Sequence, residues 1–197
     1  MKTKILVFLL AIILLFFMQG CCTASDTIGS VNNTLRPQET NNWCWAAVTQ
    51  MISQNEGISV TQCSLANHRF GKSNCCEFQI TGQSCPKTND CNMPGWLELD
   101  FAGVKFTESP SALSWSSLKK SIYCNKDVLG YAYGTSGVVG HVVAVKGYVT
   151  VGNTKYVVLN DPWSPCMGSE RMITYEEYVN PAGTSTHWAT WHGISKK

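Results

Sequence analysis

Two stretches, Asn41-Asn42-Trp43-Cys44-Trp45-Ala46-Ala47 and Gly140-His141-Val142-Val143-Ala144-Val145, decide how this chain is read. In the first, Trp43, Ala47 and Met51 recur at the spacing of one helix face, with Val48 and Ile52 beside them and Gly57 as a stop. The pattern predicts a helix from Asn42, which can cap it. Cys44 then stands in the first turn, where unpaired amide N–H groups and the helix dipole favour the thiolate, the reactive form. A buried or disulfide-bonded cysteine is the plain alternative. In the second stretch His141 opens an otherwise apolar strand. An imidazole there is either a satisfied core histidine or a general base.

The neighbours of both stretches add to the first reading. Gln38 precedes Cys44 by six residues, a spacing that lets its amide turn back toward the thiol. Together with the Cys44 backbone N–H, such an amide stabilises the oxyanion of a tetrahedral intermediate. After the His141 strand, Gly152-Asn153 signals a turn and residues 155–160 a second strand ending in Leu159-Asn160-Asp161-Pro162-Trp163. An antiparallel return about a loop centred near Val151 places residue 160 or 161 opposite His141. A carboxylate or amide at that position accepts the imidazole N–H and fixes its tautomer.

The chain has 197 residues, a length that suits one domain. Hydrophobic residues make up 44% and charged residues only 14%, enough for a real core and too apolar for a disordered chain. The net charge is +2, which falls to zero without Lys2 and Lys4. With no Lys/Arg cluster either, nucleic acid is excluded as a partner. Residues 60–68, 93–102 (closed by Gly103) and the set Trp115, Leu118 and Ile122 (capped by Ser111 or Ser114) are expected as further helices. Residues 128–133, 140–149, 155–160 and 188–194 are expected as strands. Helices first and an antiparallel sheet second give an α+β order.

Lys2 and Lys4 ahead of an unbroken apolar run over residues 5–18 read as a secretory signal peptide, too short for a membrane span. Residues 1–20 are therefore expected to be removed on export. Met18-Gln19-Gly20-Cys21 is similar to a lipoprotein cleavage site, with Cys21 as the acylated residue and the only route to a membrane; ordinary cleavage near Ala24 stays open. Residues 21–36 read as an extended lead-in and 37–197 as the folded domain. Ten cysteines in an exported chain argue for disulfides. The crowded segment 63–91 lacks the paired Cys-x2–4-Cys or His-x3–5-His spacing of a zinc site, so no metal and no cofactor is expected.

Gln38-x5-Cys44-Trp45-Ala46, Gly140-His141 and Asn160-Asp161-Pro162-Trp163 together resemble the papain-like cysteine peptidases over residues 37–192. The chain has Asn41-Asn42-Trp43 where plant papains and cathepsins carry a Cys-Gly-Ser/Ala run. The Cys44–His141 separation of 97 residues is also shorter than the ~130–150 of that branch. Both departures point to the compact bacterial branch, similar to plant-pathogen effector proteases and bacteriocin-processing peptidases. The resemblance implies a papain-like fold, with the nucleophile on N-terminal helices and His and Asp/Asn on a C-terminal antiparallel sheet. It implies Cys44 as nucleophile, His141 as general base and acid, Gln38 as oxyanion donor and Asp161 as orienting residue, Asn160 being the alternative. The expected activity is hydrolysis of protein or peptide substrates through a thioester. Rival readings are another acyl-transfer task at the same residues (deamidation, transamidation, removal of a conjugated peptide) and a silent binding module.

Overall fold

The computed structural model describes residues 22–75, 77, 85, 90–135 and 140–197. The leader over residues 1–20, Cys21 and Cys76 lie outside the described residues. A strand β1 (Ile28–Ser30) leads into helices α1 (Cys44–Asn55) and α2 (Gln62–Phe70). Then come β2 (Val104–Ser109), α3 (Trp115–Tyr123), β3 (Leu129–Gly134), β4 (His141–Val151), β5 (Thr154–Asp161), β6 (Ser169–Thr174), α4 (Tyr175–Val179) and β7 (Thr186–Lys196). The strands form one antiparallel sheet in the order β2-β7-β3-β4-β5-β6, with β1 added to the far half of β4. The fold is α+β.

Alternation along β4 builds both sides of the core. Val142 and Ala144 pack with α1 and α2, through Trp45, Val48, Ile52 and Leu65. Val143 and Val145 turn to the other face, among Leu118 and Ile122 of α3 and Tyr178 of α4. α1 is buried nearly all round, with Trp43, Trp45, Val48, Met51 and Ile52 at 0% exposure, which explains an apolar pattern wider than a surface helix needs. It ends where expected, at Gly57, whose φ of 70° lies in the left-handed region.

Several expectations are corrected. Asn42 does not cap α1: the N-cap position is Trp43, without a side-chain hydrogen bond, and Asn42 instead donates through Nδ2 to Asn92 O at 3.0 Å. Residues 92–98 form neither helix nor strand, since Pro94-Gly95 interrupts the run and its polar groups are used by α1. Trp43 Nε1 donates to Cys91 O (2.7 Å), Trp45 Nε1 to Met93 O (3.2 Å) and Glu98 N to Thr49 Oγ1 (3.1 Å). The apolar residues that imitate a helix face there hold a strap on α1, and only residues 99–103 turn, before β2. Strands β2 and β6 and helix α4 were not expected. Ser114, not Ser111, caps α3.

The cysteines pair as Cys22–Cys124, Cys75–Cys91 and Cys85–Cys166, and Cys63 is disulfide-bonded as well. Cys44 is the free cysteine among the described residues. No helix among the described residues is long and apolar enough to cross a membrane.

Candidate active site

Cys44 is the first residue of α1, so its own amide N–H lies among the helix's first, unpaired donors. The chain reaches it through a short loop tied to the far end of β5. Gln38 N donates to Pro162 O at 3.1 Å and Cys166 N to Gln38 O at 2.8 Å, so the segment carrying Gln38 runs beside the segment that follows Asp161. These links bring the helix start and the ends of β4 and β5 around one cleft of about 850 Å³. Gln38, Cys44, His141 and Asp161 all line it.

His141 Nε2–H donates to Asp161 Oδ1 at 2.7 Å, which leaves Nδ1 free for Cys44, the group beside it that also favours the imidazolium. The pairing register does not put Asn160 or Asp161 directly opposite His141, as the hairpin reading expects. Ala144 is level with Asn160, after an irregularity between Val145 and Gly147. One further step brings Asp161 level with Val143, two residues from His141 and on the same face. Asn160 points to the opposite face, where its Nδ2 donates to Asn33 O (3.0 Å) and to Asn33 Oδ1 (3.2 Å).

Burial disfavours a charged His141, but the hydrogen bonds and charges of Asp161 and Cys44 outweigh it and push its pKa up to about 9. Burial likewise disfavours a charged Asp161. His141, the Trp163 N–H and Arg171 reverse this and hold the carboxyl below its ordinary 3.8. The imidazolium and carboxylate thus sustain each other.

Gln38 is buried, and its Nε2 donates to the carbonyls of Thr40 and Asn41, both at 2.8 Å, while Oε1 has no partner. Trp163 is 52% exposed at the cleft, and its backbone N–H donates to Asp161 Oδ1 at 2.9 Å. The opposite wall is aromatic, with Trp96 and Trp188 in edge contact at 6.2 Å. A Cβ at Gly140 would run into the Trp188 ring, so the residue before His141 has to be glycine for this wall to close.

Sequence reasoning missed Arg171 and Tyr133 at this site. Arg171 Nη1 lies 3.1 Å from Asp161 Oδ2, and Tyr133 meets the His141 ring edge-on at 5.8 Å. Tyr133 sits on a strand that was expected, level with His141, and only the pairing of β3 with β4 singles it out. The remaining histidines are used elsewhere or lie apart. His68 stacks on Phe101, and His187 bridges Tyr178 O and Thr190 Oγ1. No group of His, Cys, Asp and Glu that could hold a metal occurs among the described residues.

A family model described as the Peptidase_C39 like family matches residues 31–190. Among solved structures, one of a mite allergen, from work on antibody cross-reactivity between Blo t 1 and Der p 1, superposes with a TM-score of 0.51 at 12% identity. The match covers 89% of this chain and 73% of that one. No curated protein matches the sequence. Helices ahead of one antiparallel sheet give a papain-like α+β fold, and the family match makes the chain a cysteine-type peptidase. The chain belongs to the Peptidase_C39-like family, and its substrates are proteins or peptides.

Proposed function

We propose that the chain is an exported peptidase that hydrolyses peptide bonds through a thioester on Cys44. The observation that carries this is the order Cys44, His141, Asp161 across one cleft, with His141 Nε2 hydrogen-bonded to Asp161 and its imidazolium favoured by Cys44 as well. The thiolate of Cys44 adds to the substrate carbonyl carbon, and the charge moves to the carbonyl oxygen, which the Cys44 N–H and the Gln38 amide stabilise. Protonated His141 gives its Nδ1 proton to the leaving amine as the C–N bond breaks. Neutral His141 then takes a proton from water, whose oxygen attacks the thioester carbon; the C–S bond breaks and releases the carboxylic acid, leaving the Cys44 thiolate beside protonated His141. Asp161 keeps the ring oriented throughout.

Gln38 has both amide hydrogens on carbonyls of its own loop, so one must be shared with the oxyanion. Gln38→Ala is therefore expected to keep partial activity. Loss of one oxyanion donor costs on the order of 100–1000-fold, and sharing places the outcome at the low end.

Export is supported by the disulfides and by the leader pattern. The Cys22–Cys124 bridge favours cleavage before Cys21, since removal of the chain up to Ala24 would discard Cys22. Lipid on Cys21 would then anchor the domain, with residues 21–36 as lead-in and 37–197 as the peptidase domain. Cys21→Ala should release a membrane-associated protein into solution, and a wild type that is soluble and starts near Ser25 would refute the anchor.

The activity is tested on an unfolded-protein or peptide library, in mild reductant. Wild type should cleave, while folded Cys44→Ala and His141→Ala should not. Products joined to an added amine rather than to water would move the assignment to acyl transfer. A folded wild type that acts on nothing in the library and resists thiol-directed inhibitors would support the binding module.

A further inference from the structure

Asp161 faces a cation on either side. Its Oδ1 accepts from His141 Nε2 at 2.7 Å and from the Trp163 N–H at 2.9 Å, while Oδ2 faces the Arg171 guanidinium at 3.1 Å. The carboxylate side chain is 3% exposed and that of Arg171 44%, so the arginine reaches in from the cleft and covers a group that water does not. Strand pairing explains how it arrives. Leu159 is level with Arg171 across β5 and β6, so Arg171 and Asp161 share a face of the sheet. On β3, Tyr133 is level with His141 and lines the cleft, and the Arg171 charge acts on its hydroxyl. Four adjacent strands thus contribute one transverse row, Tyr133, His141, Asp161 and Arg171.

We propose that Arg171 is a positioning residue for the peptidase reaction: it fixes Asp161 Oδ2, so that Oδ1 stays on His141 Nε2 and the imidazole stays turned to Cys44. The proposal rests on the reading of His141 as the general base. A carboxylate with a single ionic partner can rotate and exchange its oxygens. A second charged donor on the other oxygen removes that freedom. The same charge keeps a buried carboxylate ionised, against the desolvation that favours its neutral form. The groups facing Asp161 are His141 from β4, Arg171 from β6, Tyr133 from β3 and the Trp163 N–H. Lys146 on β4 and Glu170, next to Arg171 on β6, pair with each other.

The test compares wild type, Arg171→Met, Arg171→Lys and the control Glu170→Gln as full chains with their disulfides formed. Three readings are taken: kcat and KM on a cleaved peptide, the pH profile of kcat/KM, and the pH dependence of Cys44 alkylation by iodoacetamide. Arg171→Met should lower kcat about tenfold, a part of the ~10⁴ that mis-setting the orienting group costs in a serine triad, with KM little changed. Its acid limb should move up by about one pH unit, because an adjacent arginine lowers a carboxyl by about 1–3 units. Arg171→Lys should restore the limb but less of kcat, since a point charge cannot reproduce the planar fork. Glu170→Gln should match wild type.

An Arg171→Met enzyme that has lost thermal stability yet keeps kcat per titrated site and an unmoved acid limb would overturn the proposal. If Arg171→Met does not fold, Arg171→Gln carries the same comparison. If wild-type Cys44 alkylates at the same rate after His141→Ala, it is the reading of His141 that fails, whatever Arg171 does.

Discussion

At the scale of single residues, the neighbours Asn160 and Asp161 show what alternation does in a strand. Both are polar and both are buried, yet they point to opposite faces. Asp161→Ala should lower turnover by about 10²–10⁴-fold, the range over which a correctly held general base acts, with substrate affinity little changed. Asn160→Ala should leave turnover per folded molecule intact and cost about 1–3 kcal/mol of stability, because Asn33 O loses a buried donor. Steady-state kinetics and urea unfolding on both variants check this, and the reverse ranking would transfer the orienting role to Asn160.

The raised pKa of His141 has a pH signature. Its folded value of about 9 lies above the ordinary 6.5, so the protonated form stabilises the fold in full below about pH 6.5. That contribution is lost as the pH rises through about 9. Asp161, held low, acts in the opposite sense: its contribution is present above about 3.8 and is lost as the pH falls below that value. The wild-type melting temperature should therefore decline between neutral pH and pH ~10 more steeply than that of His141→Gln, and kcat/KM should fall along the same limb. Parallel melting curves for the two proteins would contradict the assignment.

At the scale of elements, the parts legible in the sequence are those with a period. α1 shows its apolar spacing and its Gly57 stop, and the β4–β5 hairpin shows apolar runs around Gly152-Asn153. What stays hidden depends on distant partners. β2 and β6 are the two ends of the sheet; β2 alternates only over Val104–Thr107 and β6 is exposed over Ser169–Met172, so neither gives a full strand pattern. Arg171 was missed with its strand: Ser169-Glu170-Arg171 carries no apolar pattern, and only Ile173 and Thr174 give a β signal. The irregularity between Val145 and Gly147 has no sequence mark, yet it sets which residue of β5 reaches His141. The strap over residues 92–98 misleads for a related reason, its apolar residues being held by α1 and not by a helix of its own. Thr49 is the joint, donating to Trp45 O at 2.8 Å and accepting from Glu98 N at 3.1 Å. Thr49→Val keeps the shape and leaves Glu98 N–H unpaired, so urea unfolding should show a loss of about 1–3 kcal/mol.

At the scale of the whole molecule, a low-charge domain is held together by covalent ties as well as by its core. Cys22–Cys124 closes a separation of 102 residues and binds the lead-in to the end of α3. Cys85–Cys166 closes 81 and ends on the segment that hydrogen-bonds Gln38. Peptide mapping without reduction should recover both, along with Cys75–Cys91. The double variant Cys22→Ser/Cys124→Ser should lose about 2–5 kcal/mol, as expected for a bridge closing a long loop. Unbridged peptides from secreted material would refute these pairings. The proposed function hangs on Cys44, the cysteine left out of this network among the described residues. Its position at the start of α1, beside a histidine whose pKa is pushed up to about 9, supports the proposed role of nucleophile over that of a buried thiol. The most direct measurement is iodoacetamide labelling at about pH 5.5, followed by mass-spectrometric mapping and a cleavage assay on the same samples. The account predicts that Cys44 alone is modified, that His141→Ala slows the modification sharply, and that peptidase activity disappears in step with it. An unlabelled Cys44, or cleavage that persists after Cys44 is fully alkylated, would contradict it.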